Sequence, residues 1–382
     1  MIDRINQQVV RTTVFLAALS FVLFLGACEK KADNKPGGGQ TSVAPASAKA
    51  QELNLLCWTG YEERALLDAF EKKHNINVNA KTFVGADAMV SLLSQSKGIY
   101  DVVVVDPEYI EKLHAAGRLA AMNPAEYDFA GYLDELKDFP LCYSEDKMYA
   151  ILVEYGSCGL VYNTAHLTTE DVKSYDILWD TKVKGRVGIW DWYLPSMGVI
   201  SCSLGYQDPY DITDAQFDAI GERLAALRPQ VRAIHPSPPE MLSALANDET
   251  WIVPAGGEWV AAILKQQGKP IDWVVPDIGG IMWMDTLCIV NDAPHPEAAK
   301  AYVHWMMTPE AQALLSQKQA YQSNVPNMKA YDLMPPAHKD MLKVHDADEA
   351  KALIGRLHVR SLPINQSEKR WQDAWEKFKA SR

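Results

Sequence analysis

The sequence lacks the short motifs on which metal centres and many enzymes are built. It has no Cys-x-x-Cys pair and no Cys/His spacing typical of zinc, so we expect neither a metal site nor a cofactor. It also has no Gly-x-Ser-x-Gly, His-Glu-x-x-His or Gly-x-Gly-x-x-Gly. The nearest glycine cluster, Gly156-Ser157-Cys158-Gly159, is more typical of a bend in the chain. These absences disfavour an exported enzyme.

A run rich in lysine and arginine is absent as well. The formal net charge is -12, which argues against a nucleic-acid partner and is compatible with a cationic ligand. The length of 382 residues exceeds that of a usual single domain and predicts two domains with an ample core. A hydrophobic content of 48% with 23% charged residues is that of a globular protein.

Cysteine is scarce, with six in the whole chain. After Cys28 the count is odd, so at least one thiol stays unpaired even in an oxidising compartment. The pairing to examine first is Cys142 with Cys158. Most of these cysteines lie in apolar, strand-like runs and are predicted to be small buried hydrophobes, namely Cys57, Cys142, Cys158, Cys202 and Cys288.

The N-terminal segment has the pattern of an export signal. Arg4 and Arg11 precede an apolar run over residues 14–25, which is short for a membrane span. The run ends in Leu25-Gly26-Ala27-Cys28, which resembles the bacterial lipobox; the alternative is an ordinary signal peptide with an incidental cysteine. We expect a signal peptide over residues 1–27 and a lipid anchor on Cys28 that holds the protein at the membrane in the periplasm. Residues 28–50 are rich in Lys, Gly, Pro, Ser and Ala and are predicted to be a flexible tether.

Strands and helices alternate from residue 53 to residue 114. Leu53–Cys57, residues 76–80 and the apolar run 101–105 are predicted strands, and each is followed by a stretch with helical periodicity. This order predicts a doubly wound α/β sheet, in which ligands bind at the carboxyl ends of strands. Two segments lie at such ends, Trp58-Thr59-Gly60-Tyr61 and Asp106-Pro107-Glu108. Each is a candidate ligand loop, and each is also compatible with ordinary turn chemistry.

The middle of the chain repeats this alternation and predicts a second α/β domain. Residues 148–154 and 158–162 are predicted as two strands joined around Gly156. In the C-terminal helix, Trp371, Trp375 and Phe378 share one face, which is more typical of packing against a domain than of a ligand site.

The stretch from Gly279 to Val290 combines an indole and an acid on one strand. Side chains alternate along a strand, so Ile281, Trp283 and Asp285 share a face, with Trp283 and Asp285 roughly 6–7 Å apart. An aromatic ring beside a carboxylate suits an organic ammonium group, through cation–π attraction and a charge-assisted hydrogen bond. A tryptophan packed in the core beside an acid that ends a strand is the alternative.

These residues resemble the substrate-binding proteins of bacterial ABC importers, of the spermidine/putrescine-binding type, over nearly the whole exported chain. The motifs that carry the resemblance are Trp58-Thr59-x-Tyr61, Tyr100-Asp101-Val102-Val103-Val104, Gly268-x-Pro270-Ile271-Asp272, Gly279-Gly280-Ile281-x-Trp283-Met284-Asp285, and Tyr321 followed by Pro326-Asn327. The resemblance implies the two-lobe periplasmic-binding-protein fold, type II, each lobe a doubly wound α/β sheet with helices on both faces. It also implies a ligand held in the cleft, and an ABC permease with its ATPase as partners of a monomer.

By the resemblance, residues 51–157 and 285–329 form the first lobe, and residues 158–284 and 330–382 form the second. The positions that match cleft residues of the family are Trp58, Tyr61, Trp283, Asp285 and Tyr321, with Thr59 in the same first motif.

Several positions depart from the family pattern and leave the ligand open. The family's acid between Thr and Tyr is Gly60 here, and the acids of its second-lobe loop fall near Trp192 and Pro195. The counterpart of a cleft tryptophan falls among Gly257, Glu258 and Trp259. Because a buried ammonium without a carboxylate is costly, lost acids change the ligand. Replacement charge is available from Asp106, Glu108, Asp191 and Glu258.

The sequence therefore predicts a lipid-anchored binding protein that closes on a small amine similar to putrescine or spermidine. Binding of another polar or zwitterionic solute, such as an amino-acid derivative, is the alternative on the same scaffold. A third possibility is a sensor that signals its bound state to a membrane receptor, and the sequence does not distinguish this role from transport.

Overall fold

The elements follow the predicted alternation of strand and helix, with one long strand where two were expected. The structure is a computed structural model that describes residues 51–381. The predicted signal peptide, the predicted lipid attachment at Cys28 and the predicted tether lie outside the described residues. Twelve strands occur in the described part: β1 (Gln51–Trp58), β2 (Ile76–Phe83), β3 (Val102–Val105), β4 (Tyr143–Ser144), β5 (Lys147–Met148), β6 (Ile151–Asn163), β7 (Val187–Trp190), β8 (Val231–His235), β9 (Ile252–Gly256), β10 (Ile271–Val274), β11 (Gly280–Ile289) and β12 (Leu357–Val359).

The helices of the described chain lie between and after these strands. They are α1 (Arg64–His74), α2 (Ala86–Gln95), α3 (Ile110–Ala115), α4 (Asp134–Lys137), α5 (Tyr193–Ser203), α6 (Asp214–Leu227), α7 (Pro238–Ala246), α8 (Glu258–Gln266), α9 (Pro296–Met306), α10 (Pro309–Ser316), α11 (Pro336–Leu342), α12 (Ala347–Ile354) and α13 (Glu368–Ala380). Helix α6 starts with a capping box, in which Thr213 and Gln216 each accept from the other's backbone. No helix in residues 51–381 combines the length and the apolar character needed to cross a membrane.

Ten of the strands form one mixed sheet, with a central path in the order β2-β1-β3-β11-β6-β9-β7-β8. Strands β2, β1 and β3 are parallel, as the doubly wound pattern predicts, and β7 is parallel to β8 and β9. Strand β11 runs antiparallel to both β3 and β6 and joins the two parallel groups. The carboxyl ends of β1 and β3 therefore lie close to β11.

The prediction of two strands joined around Gly156 is wrong. Strand β6 runs without interruption through this glycine, and all thirteen of its residues are buried. Gly156 pairs with Trp283 of β11. A side chain at position 156 would overlap the Glu258 carboxylate and the Trp283 indole, so the glycine is needed for close packing and not for a bend.

The core confirms that the apolar runs are buried on both faces of the sheet. Along β3, Val102 and Val104 belong to one hydrophobic cluster, and Val103 and Val105 belong to another. A third cluster contains residues of β7, β9 and α5 together with Trp371, Trp375 and Phe378, which confirms that the aromatic stripe of α13 is a packing face.

The cysteines of the described chain are buried and unpaired, which confirms their interpretation as small hydrophobes. The candidate pairing of Cys142 with Cys158 is not formed.

Candidate functional site

A cavity lies where the ends of β1 and β3 meet β11 and the loops that follow β7 and β9. Its volume is about 60 Å³. One water-sized group occupies about 10–15 Å³ on this measure, so there is room for roughly four to six of them. Fourteen residues line the cavity: Trp58, Thr59, Asp106, Cys158, Trp190, Trp192, Pro195, Ala255, Trp259, Trp283, Asp285, Lys318, Tyr321 and Arg360.

Six of the lining residues are aromatic, and we call them the aromatic wall: Trp58, Trp190, Trp192, Trp259, Trp283 and Tyr321. Neighbouring rings of the wall are in contact range. The Trp58 and Trp192 centroids are 6.3 Å apart, and the Trp190 centroid lies 4.9 Å from that of Trp192 and 6.0 Å from that of Trp259. The Trp259 and Tyr321 centroids are 4.8 Å apart. The wall thus extends from the end of β1 to the loop after α10.

Strand β11 brings Trp283 and Asp285 to the same cavity, as alternation along a strand predicts. The register places Trp283 opposite Gly156 and Asp285 opposite Glu154 of β6. The strand pairing is irregular immediately after Asp285, between Asp285 and Thr286. Two carboxylates therefore face each other across the strand pair, and they repel unless donors or cations compensate.

Glu154 is compensated by a lysine that the sequence did not predict. The ammonium of Lys318 contacts the Glu154 carboxylate, and it also donates to the Tyr321 carbonyl at 2.6 Å. The hydroxyl of Ser323 donates to the same carboxylate. Both members of the Lys318–Glu154 pair are almost completely buried, at 2% and 0% side-chain exposure.

Asp285 has a tyrosine as its donor. The Tyr61 hydroxyl lies 3.1 Å from Asp285 Oδ2 and 3.0 Å from Glu154 Oε2. Burial raises the pKa of Asp285 well above its usual value, and the charges of Glu154 and Asp106 raise it further, while the charge of Lys318 and the hydrogen bond from Tyr61 oppose the shift. Burial and the two carboxylates also raise the pKa of Tyr61, so the phenol keeps its hydrogen.

At the β3 end, Asp106 and Glu108 share one buried arginine. The Nε of Arg360 donates to Glu108 Oε1 at 2.6 Å, and its Nη2 lies 2.8 Å from Asp106 Oδ1. The guanidinium also lies 4.8 Å from the centroid of the Trp192 ring. Burial raises the pKa of Asp106 and brings that of Glu108 to about 7, although the Arg360 charge opposes both shifts.

Glu258 lies behind the aromatic wall and does not line the cavity. Its carboxylate accepts from the backbone N–H of Ser157 at 3.0 Å and from the Ser157 hydroxyl at 2.5 Å. Burial raises the pKa of Glu258 to about 7, against the effect of these hydrogen bonds.

Asp191 does not face the cavity either. It accepts from Trp375 Nε1 at 2.8 Å and from Lys379 Nζ at 2.9 Å, and both donors belong to α13. This acid therefore holds the C-terminal helix in place.

The structure brings eight of the twelve predicted ligand residues to the cavity lining: Trp58, Thr59, Asp106, Trp192, Trp259, Trp283, Asp285 and Tyr321. Of the others, Tyr61 and Glu108 contact lining side chains, Glu258 lies next to Gly156 and Trp283, and Asp191 contacts α13. Sequence reasoning missed six lining residues, of which Lys318 and Arg360 are charged; the other four are Cys158, Trp190, Pro195 and Ala255. Lys318 is three residues before the Tyr321 motif, which was a usable signal, whereas no motif marks Arg360.

The lining has the donor set of an organic-ligand site. Within the described residues, no group of three or more His, Cys, Asp or Glu side chains could hold a metal ion. Indoles, one phenol and a few charged groups around a partly open cavity define a binding site for a small polar organic molecule.

The fold and this cavity define a solute-binding protein, and comparison with known proteins agrees. The chain belongs to the family of bacterial extracellular solute-binding proteins, which it matches over residues 65–343. This family consists of binding proteins and not of enzymes.

Among characterised relatives, the chain is similar to the spermidine/putrescine-binding periplasmic protein of Escherichia coli (strain K12). The two are 27% identical over 310 residues, which cover 78% of this chain and 85% of the relative. It is also 23% identical over 351 residues to the putrescine/agmatine-binding protein of Pseudomonas aeruginosa, covering 86% of this chain and 92% of that one.

A solved structure, titled a putative spermidine/putrescine ABC transporter from Listeria monocytogenes, has the same fold. It superposes with a TM-score of 0.73 at 24% identity, over 87% of this chain and all of that chain. The predicted periplasmic-binding-protein fold is thereby confirmed.

Proposed function

We propose that the chain binds a small organic ammonium ion in this cavity and delivers it to an ABC permease and its ATPase. The observation that carries the proposal is that the buried Asp285 carboxylate has no salt-bridge partner in residues 51–381. Among the described residues, no Lys, Arg or His nitrogen lies within salt-bridge distance of this lining carboxylate. The charge of Lys318 acts on Asp285, but its ammonium is paired with Glu154. A buried acid that has no ion-pair partner of its own and lies beside indole faces is completed by a cationic guest.

The charge around the cavity favours a cation as well. The carboxylates of Asp106, Glu108, Glu154, Glu258 and Asp285 lie in or directly behind the lining, against the two cations Lys318 and Arg360. Five acids and two bases leave a formal charge of -3 at full ionisation. An ammonium guest reduces this imbalance and lowers the raised pKa of Asp285.

The names of the relatives point to the same class of solute, since they include spermidine, putrescine and agmatine. A zwitterionic solute, the alternative from sequence, needs a cation that is free to receive its carboxylate. The cavity's arginine, Arg360, is already shared by two carboxylates, and Lys318 contacts Glu154. The charge pattern therefore favours the amine.

Closure of two lobes around the solute is part of the proposal. We divide the chain into residues 51–157 with 285–329, and residues 158–284 with 330–382. The lining then draws on both parts, because Trp58 and Asp285 come from the first and Trp192 and Arg360 from the second. A ligand that contacts both parts favours the closed state by its extra contacts there. We propose that the protein acts as a monomer.

We also propose that lipid on Cys28 anchors the protein to the membrane and that residues 28–50 act as the tether. The support is the Leu25-Gly26-Ala27-Cys28 motif after a short apolar run. The mass of the mature N-terminus tests this directly. Acyl chains on Cys28 are expected, and a mature chain that begins at another residue or carries no lipid contradicts the anchor.

Replacing Asp285 by asparagine is expected to weaken the binding of any amine ligand by about 1.5–3 kcal/mol, roughly 10- to 150-fold in Kd. The reason is that the amide keeps the shape of the side chain but removes the charge that the ammonium pairs with. Mass spectrometry of the gently purified protein identifies a co-purified solute. Titration calorimetry with that solute and with a panel that includes putrescine and spermidine measures the loss.

Asp191→Asn is the matched control, because this acid contacts α13 and not the cavity. Its amine affinity should stay within about twofold of the parent. Equal affinities of the parent and Asp285→Asn would remove Asp285 from the site. Failure of every amine in the panel to bind would end the amine proposal, while the family assignment would stand.

A further inference from the structure

More aromatic side chains than charged side chains line the cavity. Five indoles and one phenol line a cavity of about 60 Å³, together with Cys158, Pro195 and Ala255. Aromatic faces attract a cation through the ring quadrupole and need no N–H on the cation to do so. The aromatic wall therefore attracts a methylated ammonium group as effectively as it attracts a primary one.

Hydrogen-bond acceptors are few in the same lining. A primary ammonium carries three N–H donors, so a diamine carries six. The lining side chains that contain an oxygen are those of Thr59, Asp106, Asp285 and Tyr321. Asp285 Oδ2 already contacts the Tyr61 hydroxyl, and Asp106 Oδ1 lies 2.8 Å from Arg360 Nη2, while Asp106 Oδ2 is a buried acceptor without a hydrogen-bond partner among the described residues. Each buried N–H without an acceptor weakens binding by the free energy of its desolvation. A quaternary nitrogen has no N–H and avoids this loss.

The end of the cavity near Asp106 already contains a cation, the guanidinium of Arg360. Arg360 lies between Asp106 and Glu108 and packs against the Trp192 ring at 4.8 Å. A second ammonium at this end would face the guanidinium directly. Asp285, by contrast, has no Lys, Arg or His nitrogen within salt-bridge distance in the described chain, so it is a lining carboxylate without an ion-pair partner, whereas the charge of Asp106 is paired with Arg360.

We propose that the ligand is a singly charged cation with methyl groups on its nitrogen, a quaternary or N-methylated ammonium compound, bound in preference to a primary diamine. This inference rests on the proposed function, since it specifies which organic ammonium the site takes. The charged head lies against the aromatic wall beside Asp285, and a short polar tail extends toward Asp106 and Arg360. The volume suits a compact head with a short tail.

Titration calorimetry of the full chain, freed of co-purified solute, tests this with three probes: choline, ethanolamine and putrescine. Choline and ethanolamine differ only in the three N-methyl groups, so their ratio isolates the effect of methylation. We expect choline to bind at least tenfold more tightly than ethanolamine, and more tightly than putrescine. Ethanolamine or putrescine binding as tightly as choline would overturn the inference.

The outcomes separate this inference from the proposed function. If putrescine or ethanolamine binds best and Asp285→Asn weakens it, the preference for methylation is wrong and the ammonium site stands. If none of the three probes binds, the inference is wrong. If the wider amine panel of the Asp285 test fails too, the proposed function is wrong as well.

A tryptophan variant adds a second measurement. Trp192→Leu removes an indole from the aromatic wall and is expected to weaken choline binding at least fivefold. Trp179→Leu is the matched control, because Trp179 also packs against an arginine, Arg223 at 3.5 Å from its ring centroid, but does not line the cavity. Equal choline affinities in the two folded variants would contradict a role for the wall in binding the methylated head.

Discussion

Lys318→Met is expected to lower the free energy of unfolding by about 3–5 kcal/mol, because it leaves the Glu154 carboxylate buried without a cation. Glu154 is fully buried and faces Asp285 across the strand pair, so the remaining charge also repels a second acid. Chemical denaturation with linear extrapolation measures the loss. Among residues 51–381, Tyr61 and Ser323 would remain as side-chain donors to Glu154.

An exposed pair of the same kind provides the control. Lys369 and Asp373 are paired at 2.7 Å with 79% and 63% of their side chains exposed. Lys369→Met should cost less than about 1 kcal/mol. Adding Glu154→Gln to Lys318→Met removes the lone charge and should recover part of the stability. A small loss for Lys318→Met, or no recovery in the double variant, would contradict the account of this pair.

Arg360→Met is expected to produce the other large effect, again about 3–5 kcal/mol at pH 8, since two buried carboxylates lose their shared cation. The sign of the pH dependence follows from the pKa values of these acids. Burial already brings the pKa of Glu108 to about 7 while Arg360 opposes the shift, so removing the arginine raises the pKa further. Protonation then removes the uncompensated charge, and the loss of stability should be smaller at pH 5 than at pH 8.

The matched control for Arg360→Met is Arg370→Met. Arg370 also pairs with two acids, Asp214 at 2.5 Å and Asp218 at 3.4 Å, but these partners are 73% exposed. Its replacement should cost less than about 1 kcal/mol at both pH values. A loss for Arg360→Met that is the same at pH 5 and pH 8 would show that Asp106 and Glu108 do not carry the penalty.

Two members of the aromatic wall, Trp58 and Trp283, could be predicted from local patterns, whereas Trp192, Trp259 and Tyr321 were predicted from the family resemblance and Trp190 was not predicted. Trp283 and Asp285 share a face by strand alternation, and Trp58 stands at the carboxyl end of β1. The order of strands and helices gave the doubly wound region for the same reason. Each strand or helix in that order is recognised from a pattern of fewer than about a dozen residues, the range over which periodicity carries information.

The charge balance of the cavity could not be predicted in this way. Lys318 is 164 residues from Glu154, and Arg360 is 252 residues from Glu108. A tertiary ion pair leaves no periodic signal in either segment, so the acids could be counted but not their partners. The role of Asp191 was hidden for the same reason, since its donors are on α13. Gly156 was misjudged because a glycine kept for close packing and a glycine kept for a bend look alike in sequence.

The position of Tyr61 affects how solute binding depends on pH. Its one hydroxyl hydrogen lies between Asp285 and Glu154, so it cannot satisfy both carboxylates at once. With Lys318 paired to Glu154, Asp285 is the acid of this pair whose pKa is raised. A cationic solute beside Asp285 lowers that pKa, so the solute and a proton compete for one carboxylate. Capture weakens as the surroundings turn acidic, and titrations of the same solute at two pH values measure this antagonism.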